Sequence, residues 1–340
     1  MKYVIWNNKG GVGKTFLTYL LSTEYAKKNP DKDVVVVDAC PQANVSEIIL
    51  GGNGVGEENL EKCFNKKHTI AHYIKSRYRL GNTILGNELS FFVKAYEYNK
   101  NMPENLYLLP GDSDLDICAN IINFLALAPE KKSWQKSRVI LFDLLNSFQR
   151  TFSDREKTYF IDCNPSFSSY TELAILAADR LIIPCTADAA SLRAIYNLFN
   201  LVHGVKIDKS ERDDGDNVFD EFYDKATENG FTLPKIHQVI QNCSRTKEKK
   251  ASKAFTAHVE KIENLMTDIQ KRYSRNFTTD EKIVHNVKDG NTLAAVINHT
   301  GQMLGDIKIG KHSVYEMMVQ IAQPQKDSLV ADIDKIISTL

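Results

Sequence analysis

Tyr3-Val4-Ile5-Trp6-Asn7-Asn8-Lys9-Gly10-Gly11-Val12-Gly13-Lys14-Thr15 is the stretch that decides the fold of this chain. Four apolar, strand-prone residues run into a glycine-rich loop, and from Thr15 to Lys28 apolar positions recur at helical spacing. A strand that turns through glycines into a helix is the setting a phosphate-binding loop requires. Glycines let backbone N–H groups point inward without obstruction by a Cβ, and the helix offers its positive end to anions. Lys14 is placed to reach the β- and γ-phosphates of a nucleotide, and the Thr15 hydroxyl to ligate Mg²⁺. The ordinary pattern GxxxxGK[ST] would put glycine at position 8, where this chain has Asn8. In its stead a second lysine, Lys9, precedes the paired glycines. A turn that merely joined a strand to a helix would need neither lysine.

Outward from this loop, short β-branched runs alternate with helical stretches. The pattern predicts strands at Tyr3–Trp6, Val34–Val37, Leu106–Leu109, Thr158–Ile161, Leu181–Pro184 and Ile236–Gln241. Helical spacing covers Thr15–Lys28, Tyr170–Ala178, Ala189–His203 and Ser252–Lys271. Several strands are almost continuously apolar, as strands buried on both faces should be. The expected architecture is α/β: a doubly wound, mainly parallel sheet with helices on both faces. Residues 1–340 read as a single domain carrying a probable insertion at 51–105 and an acidic loop at 205–230. The insertion opens with GGNGVGEEN and holds the aromatic run Phe91–Tyr98.

A phosphate-loop site also needs an acid near Mg²⁺ and a group that orients the attacking water. Two strand ends supply carboxylates. Val34–Val37 ends in Asp38, and Thr158–Ile161 ends in Asp162. In a parallel sheet the carboxyl ends of strands open onto the ligand crevice, so both can face the loop. Either aspartate alone could be a strand-end turn residue.

KGGVGKT at Lys9–Thr15 resembles the signature of the ParA/MinD family of P-loop ATPases with a deviant Walker A loop. The likeness extends to Asp38-Ala39-Cys40-Pro41-Gln42-Ala43-Asn44, similar to that family's switch segment DxDPQxN with Cys40 in place of the second acid. It takes in Asp162-Cys163-Asn164-Pro165-Ser166, similar to the Walker B segment DxPPS with Asn164 for the first proline. Leu108–Leu115 and Glu172–Pro184 also match, so the resemblance covers most of 1–50, 105–118, 158–203 and 235–255. It implies that Gly10, Gly11, Val12, Gly13, Lys14, Thr15 and Phe16 bind ATP, and that Thr15, Asp38 and Asp162 serve Mg²⁺. It implies catalytic roles for Lys9, Lys14 and Asp38, with Lys9 reaching the partner's nucleotide in an ATP-dependent homodimer. Ile240–Arg245 resembles the family's NxxR-type segment, which implies an adenine contact for Asn242. Within the family the chain looks closest to the plasmid and chromosome partition ATPases. These dimerise on ATP, bind DNA without sequence preference, and are stimulated by a cargo-bound, ParB-like activator protein. Basal turnover here is expected to be slow, since a timer must persist until stimulated.

Composition neither favours nor opposes nucleic acid, because Lys+Arg and Asp+Glu are both 43. A local basic run, Arg245, Lys247, Lys249, Lys250 and Lys253, follows the Asn242 segment. It suits phosphate contacts, and reads equally as a solvated helix face. Six scattered cysteines form no CxxC pair and read as reduced, mostly buried thiols. The start lacks a signal-peptide h-region and no apolar run reaches the ~18 residues of a membrane span, so the expectation is cytoplasmic. Two rivals remain. Leu329, Val330, Ile333, Ile336, Ile337 and Leu340 could form a membrane-seeking amphipathic face, but the mixed charges beside it favour packing onto the domain. Cys118 and Cys163 are the only pair tempting for an iron–sulfur cluster between subunits.

Overall fold

A computed structural model describes residues 1–207, 220–243, 249–288 and 290–340, with side chains for these except 151, 220–221, 243 and 249–255. Eight strands build the central sheet: β1 (Lys2–Ile5), β2 (Asp33–Ala39), β3 (Val93–Lys94), β4 (Leu106–Leu109), β5 (Lys157–Cys163), β6 (Arg180–Cys185), β7 (Lys235–Cys243) and β8 (Val284–Lys288). Their order across the sheet is β3-β4-β2-β5-β1-β6-β7-β8. Every adjacent pair is parallel except β3–β4 at the edge. A separate antiparallel hairpin, β9 (Gly310–Val314) and β10 (Met317–Ile321), follows.

The period of two along each strand sorts side chains into two cores. Tyr3, Ile5, Val34, Val36, Phe160 and Ile182 face one side, under helices Lys14–Lys28, Asn291–Thr300 and Gln323–Ile337. Val4, Trp6, Val35, Val37, Tyr159 and Ile161 face the other, under helices that include Leu115–Ala126, Ile140–Thr151 and Ser169–Ala177. Val34 to Val37 are all fully buried. Each is worth about 1.5–3 kcal/mol of transfer free energy, which is why β2 has no polar side between Asp33 and Asp38. β1 sits centrally between β5 and β6, and the chain leaves it into the phosphate loop. That is the switch point of the sheet, where a crevice opens.

The six expected strands are present, and the doubly wound, mainly parallel reading is correct. The stretch 51–105, read as an insertion, is built into the molecule. Cys63, Ile70, Tyr73, Ile74 and Phe91 are buried in the two cores, and β3 adds the antiparallel edge. Within the acidic stretch, 208–219 lies outside the described residues, and Asp220–Glu228 is a helix. The C-terminal helix Gln323–Ile337 buries Leu329, Ile333, Ile336 and Ile337, so its apolar face is covered by the domain. Among the described residues no helix is long and apolar enough to cross a membrane.

Candidate nucleotide site

The loop between β1 and helix Lys14–Lys28 is shaped by two glycines in left-handed backbone, Gly11 at φ 71° and Gly13 at φ 85°. At Gly13 a Cβ would also run into the Asn242 side-chain amide. Only glycine meets both demands. Lys14 is buried and folded over the loop, its Nζ donating to the backbone oxygens of Lys9 (2.8 Å) and Asn7 (3.1 Å). Burial lowers its pKa, and the nearby Asp162 opposes that. A cation held by carbonyl oxygens and deprived of water is well prepared for an anion.

Thr15 and Thr18 stand three residues apart on one helix face, and both reach Asp162 at the end of β5. Thr15 Oγ1 donates to Asp162 Oδ2 at 2.8 Å, and Thr18 Oγ1 to Oδ1 at 3.2 Å. Asp38 lies directly across from Asp162 in the β2–β5 register. Its Oδ2 accepts from the Ser46 amide (3.0 Å) and hydroxyl (2.7 Å), and its Oδ1 from the Cys40 amide (3.1 Å). Both carboxylates are fully buried. Burial raises both pKa values, and for Asp38 the neighbouring Asp162 adds to the rise; the hydroxyl and amide donors and Lys14 pull them back. Two buried carboxylates and a threonine hydroxyl beside one lysine are short of positive charge. This donor set fits a hard dication whose remaining positions are taken by phosphate and water oxygens.

The resemblance sends the Lys9 side chain toward a partner's nucleotide; within this single chain it goes elsewhere. Here Nζ turns toward the end of β6, donating to Thr186 Oγ1 (2.6 Å), Asp188 Oδ2 (2.5 Å) and Ser191 Oγ (3.2 Å). Asp188 also caps helix Ala189–His203. Burial works against its charge, but Lys9, Thr186 and the Ser191 amide outweigh this and hold its carboxyl at about 2.

These elements border a cleft of about 630 Å³. Gly11, Gly13, Lys14, Thr15 and Phe16 form its floor, Cys40, Gln42 and Asn44 one wall, and Cys163–Pro165 another. Cys40 thus occupies the wall where the related switch carries a second acid. Burial, then Asp38, push its thiol up to about 12, so it brings no charge. Asn242 is at the end of β7 and braces the loop, with Nδ2 3.5 Å from Val12 O; it does not line this cleft. Arg245 and Lys247 lie outside the described residues, as do the side chains of Lys249, Lys250 and Lys253, whose backbone begins helix Lys249–Arg272. Cys118 and Cys163 are both buried, Cys118 with its Sγ 3.6 Å from Ala71 O, so neither presents a thiolate to a second subunit.

Several contributors went unread in the sequence. Thr18 had a signal, its helical spacing from Thr15. Ser46, Thr186, Asp188 and Ser191 had none, since only the crossover connections bring them to Asp38 and Lys9.

A nucleotide-type loop with two lysines, facing two strand-end carboxylates at the switch point of a parallel sheet, defines a P-loop ATPase of the ParA/MinD type. A family model described as an AAA domain matches residues 2–213, well over half of the chain, and the chain belongs to that family. Its fold is similar along nearly its whole length to three solved structures. Apo McdA from Cyanothece superposes with a TM-score of 0.59 at 16% identity, covering 99% of this chain and 98% of McdA. The pnob8 ParA gives 0.56 at 16%, covering 99% and 96%. A putative plasmid partition protein from Borrelia burgdorferi B31, bound to AMPPNP, gives 0.53 at 17%, covering 99% and 97%. No curated protein matches the chain in sequence.

Proposed function

We propose that this chain is a Mg²⁺-dependent ATPase switch that dimerises on ATP, binds DNA without sequence preference in that state, and drives partition or positioning of a plasmid, chromosome or other cargo. Lys14 and Thr15 line the cleft, and behind them Thr15 bonds Asp162, which faces Asp38 across the β2–β5 register; that arrangement carries the reading. ATP with Mg²⁺ would supply the scissile phosphoanhydride and the charge that the buried carboxylates lack. Lys14 and the loop amides hold the phosphates, Thr15 and Asp162 hold the metal side, and Asp38 orients water from its bond to Ser46. The second lysine, Lys9, would leave Asp188 and complete the site of a second subunit. Loss of the γ-phosphate then relaxes 38–46 and the dimer with it. Slow basal turnover suits a timer that waits for an activating partner. The similar solved structures include a putative plasmid partition protein bound to AMPPNP and the pnob8 ParA, which supports the reading at the level of the fold.

Binding to random-sequence duplex DNA with ATP, with ADP and without nucleotide, across a salt series, tests the DNA step. ATP-only binding that weakens steeply with salt is expected. ATP-driven dimerisation with no DNA binding in any state would remove DNA and keep the switch.

A further inference from the structure

Helix Leu115–Ala126 buries Leu115, Cys118 and Ile122 and leaves an apolar stripe outside. Ile117 is 55% exposed, Phe124 64% and Leu127, just past the helix, 85%. Tyr78, at the end of helix Ile70–Arg79, extends the stripe by meeting Phe124 edge to face at 6.3 Å, and the loop that follows it exposes Leu80 and Ile84, each 60%. Isolated exposed apolar residues need no explanation, whereas a contiguous patch of this kind marks an interaction surface. Its charges are polarised. Arg79, Lys131 and Lys132 are exposed around the Phe124–Leu127 end with no ion pair to them among the described residues, while the one acid beside them, Glu130, is paired with Lys136 at 2.7 Å. Asp116 lies at the opposite end.

We infer that this stripe docks an amphipathic helix of a partner protein, with the partner's acidic end over Arg79, Lys131 and Lys132. A stripe ~15 Å long, spanning three turns, matches helix-on-helix packing. A bilayer would meet Asp116 as well as the cations, so the polarity favours a peptide. The surface is also wired to the site. The helix follows Gly111, whose amide donates to Ser46 Oγ at 3.1 Å, and Ser46 holds Asp38. A Cβ at Gly111 would lie 2.9 Å from Asp38 Cγ, so there is no slack between the helix entry and the carboxylate. The inference rests on the proposed switch function, for which it supplies a place where an activator bears on Asp38.

The probe is a fluorescein-labelled, Leu-faced peptide of about four helical turns with glutamates at one end, beside a lysine counterpart and phosphatidylglycerol vesicles. Fluorescence anisotropy should show the acidic peptide binding the full chain, and binding roughly tenfold or more weaker to Phe124→Ser/Leu127→Ser. Arg79→Glu/Lys132→Glu should reverse the preference toward the lysine peptide, and bound peptide should change the ATPase rate. Equal binding of both peptides, binding indifferent to these substitutions, or capture by vesicles alone overturns the inference. MgATP binding is measured on the same samples. If it is intact while the peptide fails, the docking surface is wrong and the switch stands; if it is absent in the wild type, the switch reading fails by itself.

Discussion

The two lysines of the loop are held in different places, and the difference is visible in what each side chain touches. Lys14 Nζ lies within the loop against backbone oxygens, whereas Lys9 Nζ is tied outside it to Asp188, Thr186 and Ser191. Under the role proposed for Lys14, Lys14→Ala would remove a charge-assisted contact to phosphate, and titration with a fluorescent ATP analogue should show affinity falling about 100-fold. Asp38→Ala should leave that affinity within a few-fold while steady-state turnover drops by about 100-fold. Comparable loss of binding in Asp38→Ala would assign Asp38 to the metal alone. Asp188→Ala cuts the tether on Lys9 without touching the cleft. Under the cross-subunit role of Lys9, the nucleotide-dependent dimer should then form at lower protein concentration, as read by analytical ultracentrifugation. An unchanged or weakened dimer would make Asp188 a cap for its helix and nothing more.

Among the elements, β2 and its continuation bind the fold to the chemistry. Four buried valines fix the strand, and the chain leaves it through Asp38 into the segment that ends at Ser46. Gly111, after β4, closes on this segment with no room for a side chain. Gly111→Ala should therefore cost about 1–3 kcal/mol in urea unfolding and slow turnover as well. Ser46→Ala should cost less, about 1 kcal/mol, because it deletes hydroxyl bonds without a clash. If Gly111→Ala unfolds and turns over like the wild type, the coupling from this element to Asp38 is absent. The strands flanking the site were legible because both their faces are buried and they read as apolar runs. β8, Val284-His285-Asn286-Val287-Lys288, escaped because an edge strand with polar residues carries little periodic signal. The stretch 51–105 reads from its glycines as an addition to the domain, and its apolar residues pack into both cores. The loop and both aspartates were readable because their chemistry is local to a motif. The Lys9 tether and the Ser46–Gly111 contact were not, since each joins residues far apart in sequence that only the sheet order brings together.

For the whole molecule, burial of neutral histidines makes stability depend on pH. His203 and His237 are both held down to about 4, chiefly by burial, with Arg180 adding for His237. In the unfolded chain each would protonate near 6.5. As pH falls through 6.5 the unfolded state gains protons that the folded state does not, so stability drops until pH nears 4 and then levels. The histidines' share of the loss is a few kcal/mol, opposed over the same range by the raised pKa values of buried Asp38 and Asp162. Thermal melts of wild type and His203→Phe between pH 7 and pH 4.5 are therefore compared for how far the midpoint descends. His203 has no hydrogen-bond partner at Nε2, so His203→Phe should flatten part of that descent. A melt profile identical to the wild type would place the acid sensitivity elsewhere.

The tether on Lys9, the uncharged Cys40 wall and the charge-starved pair Asp38 and Asp162 all belong to one claim, that ATP assembles two copies of this chain around their loops. Light-scattering mass on a sizing column, with MgATP, with MgADP and without nucleotide, tests it most directly when Asp38→Ala is used to slow hydrolysis. The account predicts a dimer with MgATP alone, and a monomer in every condition once Lys9→Ala is added although ATP still binds. A dimer that forms equally with Lys9→Ala, or a monomer that stays monomeric while saturated with MgATP, would contradict it.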